Sequence, residues 1–234
     1  MRALSGRPPR IVVLTGAGLS AESGLATFRD SGGLWEGHRV EEVATPEGFA
    51  RDPATVLRFY DMRRAAAAAA RPNPAHQALA RLSRVPGVTL VTQNVDSLLD
   101  AAGARDVIHM HGRLDRALCA ACGHRWPSPP VIPASLACPD CGTPAARPDV
   151  VWFGEMPHDL DQIESALEEA DLFAAIGTSG NVYPAAGFVD VARAVGAETV
   201  EINLVPTGAG RFDRVIDGPA SVTVPAWVDA LMGG

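Results

Sequence analysis

Six short apolar runs recur along the chain, at 11–14, 88–92, 107–110, 172–176, 199–202 and 221–224. Runs this short and this rich in Val, Ile and Leu suit strands that are covered on both faces. Between them, 74–82, 95–101, 159–170 and 185–195 carry apolar residues at helical spacing, and Asp159 stands where it could cap the third. Alternating strand and helix predicts a mainly parallel sheet and a doubly wound, Rossmann-like α/β fold. Two stretches break the rhythm: 36–73 reads as helices, and 113–150 is rich in Pro, Cys and small residues. The expected division is a larger domain from 1–35, 74–112 and 151–234, and a smaller one built by the two insertions. The alanine tract 65–70 should end a helix before Arg71-Pro72-Asn73-Pro74 stops it.

The first apolar run breaks at Thr15-Gly16-Ala17-Gly18-Leu19-Ser20 and resumes as a helix, the layout of a phosphate-cradling turn. Glycine at 16 and 18 would permit a tight turn and a close approach to a pyrophosphate. The third glycine of a dehydrogenase fingerprint is absent, since Ala21 stands in its place and the next glycine is Gly24. A dinucleotide is expected, and hydride transfer is not implied.

Polar side chains follow other runs: Thr92-Gln93-Asn94-Val95-Asp96, His109-Met110-His111-Gly112, Gly177-Thr178-Ser179-Gly180 and Asn203. Ligands of open α/β sheets bind at the carboxyl ends of the strands. Any one of these residues could be a turn or cap; four clusters on one sheet edge point to a site. Strand alternation puts His109 and His111 on one face, so position does not choose a base between them, and the adjacent Gly112 tilts the choice slightly to His111.

With 234 residues the chain can bury a full core. A net charge of -7 gives no footprint for nucleic acid. No apolar run approaches the roughly 18 residues of a spanning helix, and the first nine residues lack a signal-peptide core, so a cytoplasmic protein is expected, without membrane partners and monomeric. All four cysteines lie in the second insertion as Cys119-x2-Cys122 and Cys138-x2-Cys141, each pair followed by glycine. That is zinc-ribbon spacing, and four thiolates would close one structural zinc site. The alternatives are two disulfides or two redox pairs, which a reducing compartment disfavours.

The chain resembles the sirtuins, NAD-dependent protein-lysine deacylases, through GAGLSAESGLATFRD, TQNVD, HMHG, the cysteine quartet, RPDVVWFGE, GTSGNVYPAA and INLVPT. The resemblance implies that residues 16 to 35 wrap the NAD, with Gly16, Ala17, Gly18, Ser20, Ala21, Glu22 and Trp35 in contact, Phe28 near the nicotinamide ribose and Arg29 toward the phosphates. Gln93, Asn94 and Asp96 would line the ribose and nicotinamide pocket, with Asn94 assisting catalysis, and His111 corresponds to the family's general base. Gly177, Thr178, Ser179, Asn203, Leu204, Val205 and Ala220 would border the adenosine half, and Val151, Phe153 and Gly154 the acyl-lysine peptide. Two departures stand out: Leu98-Leu99 replaces a common Leu-His pair, and Val205 replaces a frequent acid.

A narrower resemblance, in Ala44-Thr45-Pro46 and Phe59-Tyr60-Asp61-Met62-Arg63-Arg64, is to the sirtuin branch that removes acidic acyl groups such as succinyl and malonyl. Tyr60 and Arg63 share a helix face, so a phenol and a guanidinium could hold a carboxylate together, and Ala44 would leave room for the acyl chain. The bland alternative is a core tyrosine beside a solvated arginine. The implied reaction is attack of the acyl-lysine amide oxygen on the anomeric carbon as nicotinamide leaves, followed by proton removal from the ribose hydroxyls by His111 and acyl transfer to ADP-ribose. Other classes that could use the same strand edge are a non-catalytic NAD or ADP-ribose sensor and a mono-ADP-ribosyltransferase.

Overall fold

The computed structural model describes residues 8–26, 34–35, 37–208 and 210–233, with backbone alone for 34 and 35. Six parallel strands form the main sheet in the order Arg214–Asp217, Glu198–Asn203, Leu172–Ile176, Ile11–Thr15, Val88–Thr92, Ile108–His109. Alternation along the strands feeds two cores. Ile11, Val13, Leu172, Ala174 and Ile176 face the helices Pro74–Leu82 and Ala220–Met232. Val12, Leu14, Phe173 and Ala175 face Leu160–Glu168 and Phe188–Ala194. Coverage on both faces explains why these strands read as unbroken apolar runs.

The second unit is a three-stranded antiparallel sheet, with Gly112–Cys119 between Arg125–Pro127 and Ala146–Val150. The helices Val40–Val43, Pro46–Arg51 and Pro53–Ala69 pack on it through Val43, Val56, Phe59, Leu114 and Val150. Thr45 and Asp52 cap the latter two, accepting from the amides of Gly48 and Thr55, each followed by proline in the first turn. The alanine tract ends its helix at Ala69, as expected. Among the described residues no helix is long and apolar enough to cross a membrane.

Several expectations need correction. The segment 221–224 is no strand; it lies inside the helix Ala220–Met232. Ser-Val-Thr-Val alternates locally like a strand, yet Ala220, Val224, Trp227 and Val228 recur at helical spacing and are buried against Pro74–Leu82. The sixth strand is Arg214–Asp217, a mostly exposed edge with little apolar signal. Asp159 does stand at the start of its helix, but with φ +55° its side chain caps nothing. The other helices are shorter than read: Leu98–Ala101 in place of 95–101, and a 3-10 turn Ala185–Gly187 ahead of Phe188–Ala194 in place of 185–195. The strand expected at 107–110 is only Ile108–His109, so alternation does not reach His111 and the two histidines diverge.

Candidate functional site

The chain moves from Ile11–Thr15 outward to Val88–Thr92 and Ile108–His109, then returns to the other side of the first strand at Leu172–Ile176. That reversal is the switch point of an open α/β sheet, where loops diverge and leave a crevice for a ligand. Both loops at the crevice are glycine-bearing. A Cβ on Gly16 would lie 2.8 Å from the Gly177 carbonyl oxygen, and one on Gly18 2.8 Å from the Gly177 Cα. These glycines therefore let the two loops touch, a use that spacing did not disclose. The amides of Gly16, Gly18, Leu19, Ser20 and Ala21 all donate within the protein, while that of Ala17 has no backbone acceptor among the described residues. The helix that follows is only Gly18–Ala21. Phe28 and Arg29 lie outside the described residues, as does the side chain of Trp35.

Beneath the crevice a buried polar network locks the strand ends together. Thr15 donates to the hydroxyl of Thr92 at 2.8 Å, which in turn accepts from the Asn94 amide at 3.0 Å. The Asn94 side chain donates to Gly16 O and to Ser20 Oγ, at 3.0 and 3.1 Å. Ser20 Oγ donates to Asp96 at 3.0 Å and lies 3.3 Å from His76 Nε2. Because His76 Nδ1 accepts from the Asn73 amide, its proton is on Nε2, facing Ser20. Burial drives the His76 pKa down to about 4, so the ring is neutral, and burial raises that of Asp96. Ser20 is thus saturated by protein partners and fixes Asn94 and Asp96.

Gln93 joins the halves of the site, its side chain donating to Thr178 Oγ1 at 3.0 Å. Asn203 donates to the Thr178 carbonyl at 2.8 Å. Glu22 accepts from the amide and hydroxyl of Ser221, which places it beside Ala220 at the start of the last helix. Leu204 and Val205 are exposed apolar side chains on the same edge, and Ser179 accepts from the Asn181 amide.

The histidines separate clearly. His109 is buried and bound to Asp100 at 2.9 Å. His111 Nδ1 lies 3.2 Å from the Gln93 carbonyl, an acceptor only, so the proton sits on Nδ1 and Nε2 keeps its lone pair. Burial lowers the His111 pKa, with the neighbouring His158 adding to the shift against the Gln93 hydrogen bond. A neutral base is therefore available below the ordinary histidine pKa of about 6.5. If His111 is the base, the acid limb of kcat/KM should fall below pH ~6.5 and disappear in a variant without the ring; an acid limb well above that value would rule the assignment out.

Of the substrate candidates, Val151 adjoins His111 directly. The Val151 amide donates to the His111 carbonyl and the Phe153 amide to the Ala44 carbonyl, both at 2.9 Å, so the segment through Gly154 runs between base and small unit. Tyr60 is fully buried, and burial raises its pKa. The Arg63 charge bears on both Tyr60 and Asp96. Sequence reading passed over Trp152, which donates to the Tyr60 hydroxyl at 2.9 Å; its place between Val151 and Phe153 gave no sign of that contact.

The four cysteine sulfurs lie within 4.8 Å of one another, with Cys119 to Cys141 and Cys122 to Cys138 both 3.7 Å apart. A tetrahedral zinc with bonds of about 2.3 Å sets its sulfurs about 3.8 Å apart, whereas a disulfide needs about 2.05 Å. The quartet fits a structural zinc with every ligand position taken.

The profile of the Sir2 family matches residues 16–184. An NAD-dependent protein deacylase of Caulobacter vibrioides is 54% identical over 230 residues, covering 95% of this chain and 97% of that protein. A Sir2 homologue solved with ADP-ribose superposes with a TM-score of 0.89 at 40% identity, over 96% of this chain and 92% of its own. Another, solved with NAD, gives 0.87 at 40% identity, over 96% and 90%. With a fold, a crevice and a cysteine quartet of this kind, the chain belongs to the Sir2 family.

Proposed function

We infer that this protein is an NAD-dependent protein-lysine deacylase that moves the acyl group to ADP-ribose, releasing nicotinamide. The observation that carries the reading is His111, neutral and with a free Nε2, held at the switch-point crevice between the polar strand ends and the 151–154 segment. The name of the Caulobacter relative and the ADP-ribose and NAD bound to the two neighbours support it. NAD supplies a glycosidic bond already activated by the pyridinium charge. Asn94 and Asp96, fixed by Ser20, would line its ribose, while Gln93, Thr178 and Asn203 hold the loops of the adenosine half in place. His111 Nε2 would take a proton from the ribose hydroxyls, and Val151, Phe153 and Gly154 would hold the peptide beside it.

Tyr60 and Arg63 on the helix Pro53–Ala69, with Ala44 in the same buried cluster as Tyr60, support a preference for acidic acyl groups such as succinyl and malonyl. The larger domain of 1–35, 74–112 and 151–234 would carry NAD, and the insertions 36–73 and 113–150 the acyl chain and zinc. Acidic net charge supports proteins or peptides, not nucleic acid, as partners; a cytoplasmic monomer completes the proposal.

Purified protein should convert NAD and acyl-lysine peptides to free lysine, nicotinamide and O-acyl-ADP-ribose, read by mass. Intact NAD would identify a sensor, and ADP-ribosylated protein without deacylation a transferase; either overturns the reading. Arg63→Met should lower kcat/KM for succinyl-lysine by roughly 10- to 100-fold, the worth of one charged hydrogen bond, and far more than for acetyl-lysine. Equal losses on the two peptides would remove the clamp.

A further inference from the structure

We propose that Glu201 is a positioning residue for the adenosine half of the cofactor site, acting by fixing the Asn203 amide and the loop 204–207. The proposal rests on the reading of the strand-end crevice as an NAD site.

The strand Glu198–Asn203 lies inside the main sheet, between Leu172–Ile176 and Arg214–Asp217. Glu201 is 1% exposed there, an acid in a run otherwise suited to burial. Its Oε2 is buried without a hydrogen-bond partner among the described residues, which works against folding. The side chain is therefore explained by what Oε1 holds, and both contacts of that oxygen lead to the carboxyl end of the strand.

Residues two apart on a strand share a face, so Glu201 stands on the face of Asn203. Asn203 Nδ2 carries two hydrogens; one goes to the Thr178 carbonyl at 2.8 Å and the other to Glu201 Oε1 at 3.3 Å. The amide is thus held in one orientation, which leaves Oδ1 as the atom it can offer a ligand. Glu201 Oε1 also accepts from the Thr207 amide at 2.7 Å. Among the described residues that is the one backbone hydrogen bond made by 204–207, although Leu204 and Val205 are largely exposed. Thr207 in turn packs against the neighbouring loop, since a Cβ on Gly180 would lie 3.6 Å from its side chain. One carboxyl oxygen therefore ties the loop 204–207 to Asn203, and through Asn203 to Thr178, which Gln93 also holds. A loop held in place before the ligand arrives spares binding the cost of ordering it.

The test measures ADP-ribose and NAD affinity by calorimetry, with steady-state kinetics and melting temperature, on Glu201→Met, Glu201→Gln and Thr207→Pro. ADP-ribose carries the adenosine half without nicotinamide. In Glu201→Met both dissociation constants should rise together by about five- to tenfold, the worth of one buried hydrogen bond, with the KM for NAD following and kcat changing less. Melting temperature should not fall, because an unpaired buried oxygen is removed together with the contacts. Glu201→Gln keeps Oε1 as an acceptor and should bind both ligands nearer to the parent protein. Thr207→Pro deletes the donor from the loop side and leaves the strand alone; it should weaken both ligands, and added to Glu201→Met it should cost little more. Where Glu201→Met does not fold, Thr207→Pro decides alone. Unchanged affinities, losses that multiply in the pair, or a fall in kcat and melting temperature alike would make Glu201 a packing residue and overturn the proposal. Parent protein that binds neither ADP-ribose nor NAD would remove the cofactor reading and this proposal with it. Parent protein that binds both, while Glu201→Met binds them equally well, sinks this proposal alone.

Discussion

Replacing His111 with alanine should lower kcat/KM for deacylation by about 10²- to 10⁴-fold, the usual worth of a positioned general base, with little change in melting temperature or zinc content. The base assignment rests on a tautomer that the backbone imposes. Gln93 O accepts the Nδ1 proton, so Nε2 is left unprotonated, and burial keeps the ring neutral at pH values where a free histidine would be charged. His109 cannot substitute, since its ring is buried and bound to Asp100. Activity, melting temperature and NAD affinity measured together separate chemistry from folding. Full turnover by His111→Ala would move the base elsewhere, and a comparable loss in His109→Ala with its fold intact would point to the wrong histidine.

A second large effect is expected from removing the metal. Structural zinc binding is worth on the order of 10 kcal/mol, comparable to the whole stability of a typical domain. Stripping zinc under reducing conditions, or making Cys119→Ser with Cys138→Ser, should unfold the ribbon and abolish turnover. The strand ending at Cys119 begins at Gly112, directly after His111, and its partner Ala146–Val150 leads into the segment 151–154 proposed to hold the peptide. A Cβ on Gly112 would sit 2.1 Å from the Asp149 carbonyl, so the two strands meet there without slack. Loss of the ribbon therefore reaches His111 and the segment 151–154 through these two strands. Elemental analysis of the purified protein should give one zinc per chain; protein free of zinc with unchanged melting and turnover would show that the quartet holds no structural metal.

Much of this was legible in order of residues. The run Ile11–Thr15 could be recognised as a strand covered on both sides because its neighbours on both faces are apolar, and that demand is written into every position. The helix Pro74–Leu82 carries its own boundaries, with Asn73 capping its first amides and proline in its first turn. The cysteine spacing announced a ligand set because the two pairs are local turns. Motif order brought the strand-end residues to one edge, since parallel strands put all their carboxyl ends on the same side.

What the chain alone determined, then, was each feature whose cause lies within a few residues: apolar faces, caps, paired thiols and polar strand ends. Tertiary structure decided whatever depends on a distant neighbour. The edge strand Arg214–Asp217 owes its conformation to pairing with Glu198–Asn203, and at 221–224 the core covered by Ala220, Val224, Trp227 and Val228 decides for helix over the local strand-like alternation. The physical difference between His111 and His109, beyond the tilt given by Gly112 and the resemblance, came from Gln93 O and Asp100 at their sides, and Trp152 met Tyr60 across 92 positions of sequence. Hydrogen-bond direction and burial belong to pairs of residues, and no single stretch of sequence contains both members.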